Sequence, residues 1–463
     1  MDIWFSTIYE IAVLILFLVG FMWLAWLKFE RAIYVVIFLL PLYLVRVKIS
    51  FLPLNVLEIM VWLLAAIWLA KGRYKSFEWG GCKKMIWPAA VILAAGALCA
   101  AFSQDLRTSA GALKGWFFAP LAFGFIVLAE LETKEQAKKI FLALAASGAG
   151  VGIISIFCWL GGRTTFDGRL AGIFLSPNYL AMYLAPAFLA GIGLFVLGER
   201  KTRNKVFLGC VVALNALALY LTFSYAAWIS VLLAVLFMLA LMFKSSGSSK
   251  NIKLFTPTPE CHGREPINEW LGTRRLLPQS HRRNSAVWGF TVYCLLFIVM
   301  LTAVFVSQAG SEKLGNLLHS ARSSWQSRLM IWQAALLIGK DHPILGIGPG
   351  MFQDYYLKYQ SRFDTPYFEW AVPQPHNIFL AFWLETGLLG LAGFIWLVIV
   401  FFRETAAAIK KKNVLALISV SLTVYFLLHG LVDTTYFKND LAILFWLAVV
   451  TGISANKIAE SKN

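Results

Sequence analysis

The chain has 463 residues, 59% of them hydrophobic and only 14% charged, against roughly 25% charged in soluble globular domains. Apolar runs of about 20 residues recur along the whole length, which excludes a soluble enzyme and specifies helices that cross a bilayer. A β-barrel is excluded too, because its strands read as short alternating segments, and the net charge of +17 does not point to nucleic acid, because the basic residues gather in alternate loops.

The pattern predicts an all-α, polytopic integral membrane bundle. Helices are expected at 8–27, 31–46, 51–70, 86–102, 116–131, 138–160, 177–197, 205–222, 225–243, 288–308, 377–402, 413–430 and 440–456. Pro41 interrupts the second, so twelve or thirteen spans are expected. The first apolar run is long and no small-residue cleavage site follows it, so no cleavable signal peptide is expected. Three regions result: transmembrane helices in 1–243, a basic loop at 244–287, and transmembrane helices in 288–463 that include a second long loop at 309–376. Of the 41 Lys and Arg residues, 28 fall in one alternating set of loops and 13 in the other. The richer set is expected on the cytoplasmic side, which puts the C-terminus and 244–287 inside and 309–376 outside.

The two long loops differ in kind. The segment 244–287 contains SSGSSK, several prolines and RRLLPQSHRR without apolar periodicity. It is expected to be flexible, with basic residues available to anionic headgroups. Cys261-His262 has no second pair at ligand spacing, and the six cysteines include no CxxC. Neither a metal site nor a disulfide framework is expected.

In the segment 309–376, Trp325, Leu329, Trp332, Ala335 and Leu336 recur at three- and four-residue steps. That is an amphipathic helix with tryptophans suited to the membrane interface, and Arg328 lies on or near the same face. Gly346-Ile347-Gly348-Pro349-Gly350 lacks the Lys-Ser/Thr and the preceding strand of a phosphate-cradling loop, so it reads as a turn between two short helices. The whole loop reads as a folded, aromatic cap over a site.

Several polar residues stand out against the apolar background, where ionisable groups are functional candidates by default. Arg169 precedes Ser176, a candidate N-cap, and Pro177, suited to the first helical position. An arginine beside helix-start amides is an anion-binding arrangement; solvation or pairing with Asp167 is the plain alternative. His376 follows Pro373 and Pro375 at the mouth of an apolar helix. Neutral imidazole there suits a general base, against a histidine merely bonded to a loop carbonyl. Asp433, at the end of the next apolar helix, either orients a base, pairs with an arginine, or simply closes the helix. Glu385 lies about 13 Å beyond His376 at helical rise and is read as an internal bridge between helices.

Together these residues resemble the O-antigen ligase and O-antigen polymerase superfamily of polytopic membrane glycosyltransferases. The resemblance runs from about 165 to 435. It is sharpest in GRLAGIFLSPNYLA at 168–181, in SRLMIWQAA and HPILGIGPGMF within 327–352, and in PHNIFLAFWLETGLLGL at 375–391. It implies transfer of a glycan from an undecaprenyl diphosphate carrier to a hydroxyl of a glycan, lipid or protein acceptor. The implied location is the outer face of the plasma (inner) membrane, among membrane lipids. It further implies that His376 of the His-Asn motif is the base, and that Arg328 of the Arg-x-x-x-Trp motif, with Trp332, binds the diphosphate; Asn377 and Asp433 are expected among the substrate-binding residues. Where many members carry Ser-Arg at an outer helix start, this chain has Ser224-Tyr225; Arg169 is the expected substitute. No external DxD pair is present to hold Mg²⁺ or Mn²⁺, so neither metal nor cofactor is expected.

Ligation and polymerisation share these motifs. A transporter would hold its polar groups near the bilayer midplane in two related halves; here they gather on one face without an internal repeat. A non-catalytic polysaccharide scaffold would explain the helices but not the histidine and arginines. In a background with the native cysteines replaced, cysteines at Ser311 and Thr365 should label from outside intact cells. One at Ser248 should label only after permeabilisation. The opposite pattern would move the site to the cytoplasmic face.

Overall fold

The computed structural model describes residues 3–4, 8–49, 52–76, 83–197, 202–244, 324–362 and 369–460, with the isolated positions 302 and 306. The basic loop beyond 244, the expected helix at 288–308 apart from those two positions, the stretch 309–323, Cys261-His262 and Thr365 lie outside the described residues. Eight helices among the described residues are long and apolar enough to cross a membrane, and Val56–Ala70, Lys205–Leu221 and Val414–His429 are shorter apolar helices. The protein is an all-α, multi-pass membrane protein.

The N-terminal part holds α1 (Ile8–Leu27), α2 (Phe29–Phe38), α3 (Val56–Ala70), α4 (Lys83–Ala101), α5 (Leu106–Leu113) and α6 (Ala119–Glu130), then α7 (Lys134–Leu160), α8 (Pro177–Leu197), α9 (Thr202–Leu221) and α10 (Tyr225–Lys244). One π-helical turn, Lys114–Phe118, joins α5 to α6. The remaining helices are α11 (Ser324–Asp341), α12 (Phe352–Tyr359), α13 (Ile378–Lys410), α14 (Val414–His429) and α15 (Asn439–Glu460). The two halves interlock: α4 packs along α13, α10 along α14, and α6 along α15.

The span expected at 31–46 is not formed. The ten residues of α2 rise about 15 Å, half the thickness of a hydrocarbon core. A 3₁₀ turn, Leu40–Leu44, contains Pro41, and alternating Val45-Arg46-Val47-Lys48-Ile49 then runs as β2. Strand β2 pairs in parallel with β1 (Ile3–Trp4) and antiparallel with β3 (Leu52–Asn55). Helix α3 therefore begins at Val56 and not at 51, capped by Asn55, whose side chain accepts from the Glu58 N–H at 2.9 Å.

Helix α11 turns a different face inward from the one its tryptophans suggest. Ile331, Ala334, Ala335 and Ile338 are buried with Met351, Phe352, Tyr355, Tyr356 and Leu384 in the core of the cap. Trp325, Leu329 and Leu336 stay exposed on the opposite side. Aliphatic and small residues pack closely, whereas tryptophan suits an interface with lipid and water.

The expected helix 377–402 is broken. Gly387 has φ 68° and ψ −178°, which opens α13 between Thr386 and Leu388. In a bilayer the freed backbone groups need partners from the protein, and the glycine-rich turn supplies them. Ile347 N–H donates to Leu384 O at 2.7 Å, and Leu388 N–H donates to Ile344 O at 3.0 Å. Trp383 Nε1 donates to Pro343 O at 2.8 Å, and Gly350 N–H donates to the Glu385 carboxylate. Gly346 has φ 69°, and a Cβ there would collide with the Leu384 carbonyl oxygen. The turn is thus a plug for a broken helix, and Glu385 ties the two together. Gly346→Ala should lower stability by about 2 kcal/mol or more, through strain and lost pairing. The check is the thermal midpoint of detergent-purified protein, and an unchanged midpoint would mean that the turn is not clasped.

Candidate active site

Distant stretches of chain meet where α8, α10 and α13 begin. The first is the loop before α8. Ser176 caps that helix, accepting from Tyr179 N–H at 3.3 Å, and Leu170 N–H donates to Leu221 O at the end of α9. These ties hold Arg169 in place. Its Nε donates to Thr222 O at 2.8 Å and its Nη2 to Asn178 Oδ1 at 2.9 Å, while Nη1 lies 3.7 Å from Asp167 Oδ2. Burial pulls Arg169 below the usual arginine value, Asp167 opposes that shift, and the charge of Arg328 adds to it. The two arginines are therefore within electrostatic reach of one another, and arginine keeps its charge at neutral pH.

The second stretch is the turn from α9 into α10. Arg169 binds it at Thr222 O, three residues before Tyr225, whose hydroxyl also acts electrostatically on Arg169. A guanidinium thus reaches the turn that carries Ser224-Tyr225, although it comes from elsewhere in the sequence.

The third and fourth stretches join through one carboxylate. Asp433 lies in the turn after α14 and is 1% exposed. Its Oδ1 is 2.9 Å from His376 Nδ1 and accepts from Thr434 N–H at 2.9 Å. Its Oδ2 is 3.6 Å from Arg328 Nη2. Arg328 also donates from Nε to Val432 O at 2.6 Å and from Nη1 to Ser324 O at 3.2 Å. A guanidinium carries five N–H groups, so donors remain for an anion. Burial alone would raise the Asp433 carboxyl, but His376 and Arg328 outweigh it and hold the group well below the ordinary carboxylate range. A carboxylate without a proton makes His376 Nδ1 the donor, and in the neutral imidazole this leaves Nε2 as a lone pair able to accept a proton.

His376 is held under strain. Its φ is 48°, and among the described residues the other non-glycine positions with positive φ are Phe223, beside Ser224-Tyr225, and Lys412, just past α13. Such backbone costs about 1–3 kcal/mol and persists where surroundings over-determine it. Here Trp332 Nε1 donates to His376 O at 3.2 Å, and Ile378 N–H donates to Gly430 O at 2.7 Å. Asn377 caps α13, accepting from Phe379 and Leu380 N–H at 2.9 and 3.0 Å, and its Nδ2 donates to Leu431 O at 2.9 Å. Most of its hydrogen-bonding capacity is taken up in holding His376 against the Asp433 turn.

Asp433 thus pairs with both Arg328 and His376, Arg169 stands within electrostatic reach of Arg328, Trp332 and Asn377 brace the histidine, and Glu385 belongs to the helix break. His429 is buried and bonded through Nδ1 to Tyr425 Oη at 2.7 Å. A cleft of about 310 Å³ beside the inserted turn, lined by Cys99, His342, Leu345 and Tyr355 among others, shares no residue with this cluster. Sequence reasoning passed over Lys438, whose Nζ sits 3.0 Å from the centroid of the Tyr179 ring. The available signal was a lysine in the same short polar turn as Asp433. Among the described residues no three His, Cys, Asp or Glu side chains lie close enough to hold a metal ion.

The depressed Asp433 carboxyl carries a pH signature. A group whose folded-state pKa is lowered stabilises above its unfolded value of about 3.9 and loses that contribution as pH falls toward the folded value. Asp433→Asn should therefore lower the thermal midpoint above pH 4, and the gap to wild type should narrow as pH falls toward 3. A gap that widens on acidification would contradict the assignment.

Two comparisons with known proteins bear on this cluster. No curated protein matches the chain. Residues 208–395 match the family model described as O-antigen ligase, a stretch that contains Arg328, Trp332, His376 and Asn377. The match supports a glycosyltransferase-like function in a membrane. Over this stretch, rather than over the whole chain, the protein is similar to the O-antigen ligase family.

Proposed function

We propose that the protein transfers a glycan from an undecaprenyl diphosphate carrier to an acceptor hydroxyl at the outer face of the plasma membrane. The observation that carries this reading is the contact of one buried carboxylate with both His376 and Arg328. It couples a proton acceptor to an anion site, which is what displacement of a diphosphate by an alcohol requires. His376 Nε2 takes the proton of the acceptor hydroxyl while Nδ1–H stays on Asp433. The acceptor oxygen forms its bond to the anomeric carbon from the face opposite the leaving group. The carbon–oxygen bond to the diphosphate breaks and its electron pair departs with the phosphate oxygen, so configuration inverts. Arg328 neutralises the diphosphate, and Arg169 supports it from the turn where a Ser-Arg would stand. Charge-assisted, forked hydrogen bonds from arginine suit phosphate without a metal ion. The same site would serve polymerisation, in which the acceptor is itself a lipid-linked glycan.

A positioned base contributes about 10²–10⁴-fold in rate. His376→Ala should lose transfer by about that factor, and His376→Gln should fail similarly, because an amide cannot take the proton. Arg328→Lys keeps the charge but not the fork and should transfer severely less at normal expression. The assay uses purified protein with lipid-linked donor and acceptor in the presence of chelator. Near-wild-type transfer by His376→Ala, or an absolute need for a divalent ion, would overturn the mechanism.

A further inference from the structure

The cleft beside the inserted turn takes no part in transfer, and its place along the helices says what it meets. Helices α4 and α13 pack along one another. At one end Lys84 Nζ is 2.8 Å from Glu404 Oε1. Eighteen residues further along each helix stand Phe102, just past α4, and Thr386, just before the break in α13, about 27 Å away at helical rise. No Asp, Glu, Lys or Arg occurs between Lys84 and Asp105 or between Glu385 and Arg403. A hydrocarbon core is about 30 Å thick, so the lysine–glutamate pair marks one of its boundaries, and Phe102 with Thr386 marks the other. Trp383, whose Nε1 donates to Pro343 O, is an indole at the depth where indoles collect. The cleft sits at this second boundary, on the side of His376.

Its volume is about 310 Å³, within the range of ligand pockets, roughly 300–1,000 Å³. Its walls differ in chemistry. His342 and Tyr355 line it from the cap, with their rings edge to face at 5.1 Å, and both side chains carry hydrogen-bond donors. Phe102, Ile344 and Leu345 line it with exposed apolar surface. Leu388 N–H donates to Ile344 O, and exposed Leu388 and Leu389 carry that apolar surface on along α13. A wall of donors above an apolar track, where headgroups meet chains, fits an amphiphile. The donors call for acceptor oxygens, and the phosphate and ester oxygens of a glycerophospholipid are acceptors.

We propose that this cleft binds one glycerophospholipid of the leaflet on the His376 side. Its phosphate and ester oxygens accept from His342 and Tyr355, and one acyl chain lies over Ile344 and Leu388. The site goes beyond the transfer reading and does not depend on it. The cleft shares no residue with the cluster of Arg169, Arg328 and His376, so the donor diphosphate of that reading sits elsewhere.

The test separates a bound lipid from the lipid that surrounds any span. The photo-reactive residue p-benzoylphenylalanine replaces Ile344 in full-length protein. In a second preparation it replaces Trp396, which is exposed on α13 beyond the break. Each is titrated with phosphatidylglycerol in neutral detergent micelles and irradiated, and the adduct is read by intact mass. At Ile344 the adduct should saturate at one lipid per chain, whereas at Trp396 it should rise in proportion to lipid content. With the label at Ile344, His342→Ala should raise the half-saturating lipid fraction about three- to tenfold, the scale of one hydrogen bond. His342→Gln keeps an N–H donor and should stay close to its parent. Proportional labelling at Ile344, or a half-saturation unmoved by His342→Ala, would overturn the site. In protein labelled within its own membranes, an Ile344 adduct with the mass of a polyprenyl diphosphate or a glycolipid would overturn the choice of occupant. Failure of the transfer reading would show separately, as absent turnover by wild type with the lipid adduct intact.

Discussion

The Asp433 carboxylate is the point on which the site hangs. It is buried, and a buried ion without partners would cost several kcal/mol. Its partners are His376 at the start of α13 and Arg328 on α11, so three parts of the chain are drawn to one charge. Removing either partner leaves a charge behind with less compensation, which ties α11 to the start of α13. The carboxylate also selects the histidine tautomer: in the neutral ring Nδ1 is the donor and Nε2 keeps the lone pair.

The second arginine illustrates how a fold can replace a motif. The turn from α9 to α10 carries Ser224-Tyr225, yet the Arg169 guanidinium binds Thr222 O in that turn from a loop 53 residues earlier in the chain. Positive charge is delivered to the place by packing in place of local sequence. The strained Phe223 and His376 backbones flank this region, as expected where local conformation is subordinated to a site.

Hydropathy located the long helices because a span must be apolar along most of its length, a property each segment carries by itself. It failed where the determinant lies elsewhere in the chain. Leu384, Thr386 and Leu388 sit in one apolar run, and nothing local marks Gly387 as a break; the break exists because residues near Ile347 fill it. Pro41 marked the segment 31–46 as interrupted and left its span open, but the β-branched alternation that becomes β2 weighs little in an apolar average. The site residues were legible as types, a histidine at a helix mouth and an arginine on an amphipathic helix. Their pairing was not, because His376 and Asp433 are 57 residues apart and Arg328 and Val432 are 104 apart. Asp433 was visible as a candidate with three readings, and geometry joins two of them: it orients the histidine and it pairs with the arginine.

The clasp between the glycine-rich turn and α13 also bears on how the protein is made. The turn at 344–350 leaves the ribosome before the stretch 383–388 that it must hold. A chain entering the bilayer one segment at a time therefore carries, for a while, glycines with no helix to plug and then a helix with unsatisfied carbonyls. The clasp can close only once residues 383–388 have been made. Closing of the clasp is then a step that neither segment can complete as it is made, because its two sides are some forty residues apart in order of synthesis.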